Sequence, residues 1–131
     1  MRPRILIVGG EERTRESIDL VVGRFADTNV TELYSEGVRE LESREREYNA
    51  VVTSLRKDEE YSDGLSVLKE AIDSYEHLPV FMIAGDANPE LVEDARIIGN
   101  CLKEVKLIEG AFSVFDLRRR VMEAASNYTP V

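Results

Sequence analysis

"ILIVGGEERTRES", residues 5–17, is a four-residue apolar run that stops at a glycine pair and continues as a charged, helix-like stretch. A short apolar run, a turn and an amphipathic segment make the start of a βα unit, and in a parallel α/β domain that turn lies over the ligand crevice. Side-chain chemistry is expected at such a place, yet Gly9 and Gly10 supply none. The pair also fails as a phosphate cradle. It matches neither G-x-G-x-x-G nor G-x-x-x-x-G-K-[ST], and Glu11 and Glu12 follow at once with charge that repels a phosphate. A tight turn is the simpler reading.

Outward from this stretch, short apolar runs alternate with amphipathic ones, the pattern of a parallel sheet covered by helices. The pattern predicts five strands, at Arg4–Val8, Asn29–Tyr34, Ala50–Ser54, Val80–Ala84 and within Cys101–Ile108, each followed by a helix. The first helix carries Ile18, Val21, Val22 and Phe25 at the i, i+3, i+4, i+7 spacing of a face packed on a sheet. The third repeats it with Leu65, Leu68, Ile72 and Tyr75. Asn88 before Pro89 reads as an N-cap followed by proline at the first helical position, and Ser113 with Asp116 has capping-box spacing. No repeat, low-complexity tract or linker divides residues 1–131, which read as a single domain.

Composition narrows the partners. Against 17 Lys and Arg stand 26 Asp and Glu, a formal charge of −9, and such a surface repels nucleic acid and anionic membrane. No apolar run approaches the ~18 residues of a membrane span, and the first run is too short for a signal peptide. One cysteine, Cys101, and one histidine, His77, exclude an intramolecular disulfide and a Cys/His metal site. A cytoplasmic protein is the expectation.

Taken together, "RILIVGGEE", "YNAVVTSL", "DGLSVLKEA", "LPVFMIAGDANPE" and "GAFSVFDLRRRV" resemble the successive segments of the receiver domains of two-component response regulators, over the whole chain. The resemblance implies a flavodoxin-like, doubly wound α/β fold: a five-stranded parallel sheet in the order 2-1-3-4-5 with five helices, its crevice at the carboxyl ends of strands one and three. It also implies which positions hold the chemistry. An acidic pair after strand one helps to bind Mg²⁺, and here those positions are Gly9 and Gly10. An aspartate ending strand three takes the phosphoryl group, and here it is Ser54. A hydroxyl residue ending strand four is replaced by Ala84. The family lysine after strand five falls on Lys106 when counted forward from Gly99, or on Gly110 when counted back from "GAF".

Other residues do not restore the activity. Ser54 as a nucleophile needs a base, and His77 belongs to the turn before strand four, at the opposite end of the sheet. Asp58, Glu59, Glu60 and Asp86, with Glu11 or Glu12, could hold a cation weakly, although acidic loops are usually solvated rims. The expectation is therefore a degenerate receiver with no catalytic residue, metal or cofactor, acting in signalling as a phosphorylation-independent protein-interaction module. The alternatives are small-molecule or ion binding in the crevice, or a conventional phosphorelay receiver with altered chemistry. The candidate interface, for a protein partner or self-association, is helix five, where Phe115 and Met122 fall off the Val114, Leu117, Val121 stripe and close to Arg118 and Arg119.

Overall fold

A computed structural model describes residues 2–56, 63–85 and 87–130. Five parallel strands, β1 (Arg4–Val8), β2 (Asp27–Thr31), β3 (Ala50–Ser54), β4 (Val80–Ile83) and β5 (Val105–Ile108), form one sheet in the order β2-β1-β3-β4-β5. The helices α1 (Glu12–Val22), α2 (Tyr34–Ser43), α3 (Gly64–Ser74), α4 (Pro89–Cys101) and α5 (Val114–Ser126) make the crossovers. This is the flavodoxin-like order that the resemblance implied.

Both faces of the sheet are covered, which is why its inner strands are apolar throughout instead of alternating. Successive side chains of β1 enter different cores, as the period of two requires. Ile5 and Ile7 pack with Ile18 and Val22 of α1 and with Leu117 and Val121 of α5. Leu6 and Val8 pack with Tyr34, Leu41, Leu68 and Leu91 from α2, α3 and α4. The edge strands are more polar, as in "DTNVT" of β2, with exposed or half-buried residues throughout.

That polarity explains the largest displacement from the sequence reading. The second strand is Asp27–Thr31 and not Asn29–Tyr34, because an edge strand half open to water gives little apolar signal. Tyr34 instead opens α2, and Glu36 reaches back to accept a hydrogen bond from the Leu33 N–H at 3.1 Å, the carboxylate half of a capping box. Two further residues leave their expected faces. Phe25 lies beyond the end of α1 and Ile72 on the outer side of α3, and both are exposed. The caps are better matched: Asn88 Oδ1 accepts from Glu90 N at 2.8 Å, and Ser113 Oγ from Asp116 N at 3.4 Å.

On the amino-terminal side of the sheet, the buried Tyr48 donates to Glu40 Oε1. Burial first, then that hydrogen bond and the charge of Glu40, push its pKa up. The folded state therefore holds the phenolic proton more tightly than the unfolded chain does. This contribution is fully present below the unfolded value of about 10 and is lost as pH rises through the folded value. Stability should fall steeply above about pH 10, and the fall should be shallower in Tyr48→Phe, as measured by urea unfolding at a series of alkaline pH values.

Candidate functional site

The crevice opens where β1, β3 and β4 end, at Gly9, Ser54 and Ala84. Sequence pattern alone brings these together, because the three strands are neighbours in the sheet and stop level with one another. After Val8 the Gly9 N–H still donates to Thr31 O at 2.9 Å, and then the chain turns through two left-handed residues, Gly9 at φ +67° and Gly10 at φ +81°. Only glycine takes these angles without strain.

Space is a second reason for the glycines. A Cβ on Gly9 would lie 2.4 Å from Tyr34 Cε1 and 2.6 Å from Cζ, and one on Gly10 would lie 3.0 Å from Ser54 Cβ. The ring of Tyr34 thus occupies the place that a side chain at position 9 would need. Tyr34 is 1% exposed, and its hydroxyl is hydrogen-bonded to Ser54 Oγ. The residue at the end of β3 is engaged with a phenol, not with a base.

Gly9, Gly10, Ser54 and Ala84 line one cavity of about 90 Å³. Glu11, Arg15 and Arg56 reach the same cavity, and the Arg15 guanidinium donates to Gly10 O. Two guanidinium groups and the Glu11 carboxylate thus reach a crevice where the family resemblance implied acids at positions 9, 10 and 54. Among the described residues, no group of three or more His, Cys, Asp or Glu could hold a metal ion. Asp58, Glu59, Glu60 and Asp86, named above as cation candidates, lie outside the described residues.

Lys106 does not belong to this constellation. It is the second residue of β5, opposite Phe81, and it lines a separate groove with His77, Lys103 and Tyr128. Counting forward from Gly99 put it near the crevice, but β5 continues to Ile108 before the chain turns. Gly110, at φ +73°, lies in that turn, and the residue that follows the strand, Glu109, is paired with Arg96 at 2.6 Å. His77 carries φ +61° at the amino end of the sheet, 3.4 Å from Glu104 Oε1, far from Ser54 along the strands.

On α5 the candidate surface is partly as expected. Phe115 is 60% exposed. The Arg118 guanidinium lies 5.1 Å from the centre of the Phe25 ring and 5.4 Å from that of Phe115, so one cation joins two aromatics, one just past the end of α1 and one in the first turn of α5. Arg119 is 2.8 Å from Asp116 and 3.9 Å from Glu123, tied along its own helix. Met122 is half-buried against the core on the α1 side of the sheet. The flank that the helical wheel left open at Met122 leans on the molecule, and Phe25 takes its place on the surface.

Tyr34, Arg15 and Arg56 were not singled out as site residues by sequence reasoning, and Phe25 was read as part of the sheet-facing stripe of the first helix, whereas it is exposed. Two bulky groups missing at positions 9 and 10 imply that something else fills the volume, but the filler comes from beyond a different strand. Only the fold brings it there.

No family model matches the sequence, and no curated protein matches it either. Comparison of the fold with solved structures is decisive. A response regulator receiver protein from Sinorhizobium medicae superposes with a TM-score of 0.76 at 16% identity, over 96% of both chains. A response regulator receiver domain from Clostridium thermocellum gives 0.75 at 14% identity, over 95% of this chain and 94% of that one. The receiver domain of the Francisella response regulator 1452 gives 0.69 at 21% identity, over 95% and 98%. The chain has the receiver-domain fold of response regulators.

Proposed function

We propose that this protein is a pseudo-receiver, a signal-transduction domain of response-regulator type that works as a protein-interaction module without being phosphorylated and without being an enzyme. The observation that carries this reading is the seat of Tyr34 beside the crevice, with its ring where a side chain on Gly9 would lie and its hydroxyl on Ser54. A metal-assisted phosphoryl transfer needs a carboxylate to receive the group and oxygen ligands to hold Mg²⁺. Ser54, Gly9 and Gly10 supply neither, and Ala84 has no hydroxyl. No helix of the described residues is long and apolar enough to cross a membrane, and the reading places the module in the cytoplasm. The test is an NMR titration with Mg²⁺ and then fluoroberyllate. The amides of Gly10, Ser54 and Ala84 should not shift, and saturable shifts there would overturn the reading.

The partner surface belongs to the same proposal. Arginine between two exposed aromatics is the chemistry of interface anchors, where truncation costs ~2 kcal/mol or more of binding. The Phe25–Arg118–Phe115 group is the surface assigned to the partner, with Arg119 beside it. Phe25→Ser with Phe115→Ser should leave the melting temperature nearly unchanged, since both rings are exposed. Val121→Ala, at a fully buried site, should cost about 1 kcal/mol or more. Thermal melts of the two variants check the assignment, and a large loss in the double variant would place these rings in the core.

A further inference from the structure

We propose that the vacated crevice is a binding site for a small carboxylic acid with an apolar body, its carboxylate held by Arg15 and Arg56. The cavity of about 90 Å³ extends beneath the Gly9–Gly10 turn into the α1 side of the sheet. Its floor is Ile7, Ile18, Val52 and Ile83, all members of the core beneath α1 and α5, and Ala84 is small enough to leave it open. An apolar cavity of ~150 Å³ accepts benzene, so a space of about 90 Å³ takes a smaller apolar group, a short branched chain or part of a ring, whose polar end stays at the open mouth.

Charge at the rim selects that polar end. Neither Arg15 nor Arg56 is within ion-pair distance of a carboxylate among the described residues, in a chain of net charge −9. Among the described residues, Arg15 donates to a backbone carbonyl, Gly10 O, which satisfies only part of its five-donor fork. Guanidinium groups of this kind recognise carboxylate by paired, charge-assisted hydrogen bonds. A cation is repelled by them. Glu11 at the same lip opposes any anion, but a single carboxylate less than inorganic phosphate with its second negative charge, and phosphate has no apolar part to cover the floor. Few polar groups over a mostly apolar lining is the usual make-up of a small-molecule site. A domain without covalent input would thereby keep a non-covalent one.

This site is independent of the interaction surface and of phosphorylation, so its failure leaves the pseudo-receiver reading standing. The experiment titrates isotope-labelled protein with benzoate, 3-methylbutanoate, the uncharged 3-methylbutanamide and inorganic phosphate, following backbone amides by NMR. At least one of the two acids should give saturable shifts at Gly9, Gly10, Ser54 and Ala84, with the amide and phosphate about tenfold weaker or more. Arg56→Gln, at an exposed position, should keep the remaining spectrum and weaken the acid about tenfold. Ala84→Leu should block it with both arginines in place. No saturable shift with either acid, shifts centred elsewhere, phosphate binding as tightly as the acids, or no effect of either variant would overturn the proposal.

Discussion

Gly9→Asp should destabilise the protein by about 3 kcal/mol or more, because two costs add at one position. A non-glycine residue at φ +67° is strained, by ~1–2 kcal/mol for the left-handed region. The new Cβ would also lie 2.4 Å from the ring of Tyr34, a core residue that is 1% exposed and bonded to Ser54. Overpacking of this kind costs a further ~1–3 kcal/mol. Tyr34→Ala alone should also be costly, about 3 kcal/mol, through the cavity it leaves. The informative result is the combination. Because the two side chains compete for one volume, Gly9→Asp with Tyr34→Ala should cost clearly less than the sum of the single changes, as read by urea denaturation of all four proteins. Additive losses would show that the Tyr34 ring is not what excludes a side chain at position 9.

The second large expected effect is an absence of rescue. Ser54→Asp replaces the side chain at the end of β3 with the nucleophile of the family, yet it should take up no phosphate from acetyl phosphate and Mg²⁺. Groups that act as one unit do not recover function singly. With glycine at positions 9 and 10 the metal lacks its oxygen ligands, and the new carboxylate would face Arg15 and Arg56 across the cavity. Restoring a metal pocket needs four changes, Gly9→Asp, Gly10→Asp, Tyr34→Ser and Ser54→Asp, because the acid at position 9 cannot enter while the ring remains. Mg²⁺ binding by this variant, followed by calorimetry, should be measurable where that of Ser54→Asp is not. Efficient phosphorylation of Ser54→Asp alone would show that the crevice holds a metal by groups other than those discussed.

What the sequence made legible follows the strength of its physical signals. β1, β3 and β4 stand within a residue of their expected bounds because strands buried on both faces leave unbroken apolar runs. β2 slipped because an edge strand reading "DTNVT" carries almost none of that signal, and the helix that follows begins with an aromatic instead of an ordinary cap. Phe25 and Lys106 were misplaced for a related reason: helical spacing says nothing of where a helix ends, and counting from a matched glycine cannot register an extra residue in a loop. At the site, Gly9, Gly10, Ser54 and Ala84 were legible because they end adjacent strands. Tyr34 and the two arginines were not, since they reach the crevice from segments without a local motif, and their roles depend on contacts that only the folded chain makes.

The most direct measurement is the intact mass of the unaltered protein after incubation with acetyl phosphate and Mg²⁺. With Tyr34 over Gly9 and bonded to Ser54, the mass should remain that of the unmodified chain. An Mg²⁺-dependent, acid-stable phosphate mapped to Ser54 would contradict the pseudo-receiver reading outright.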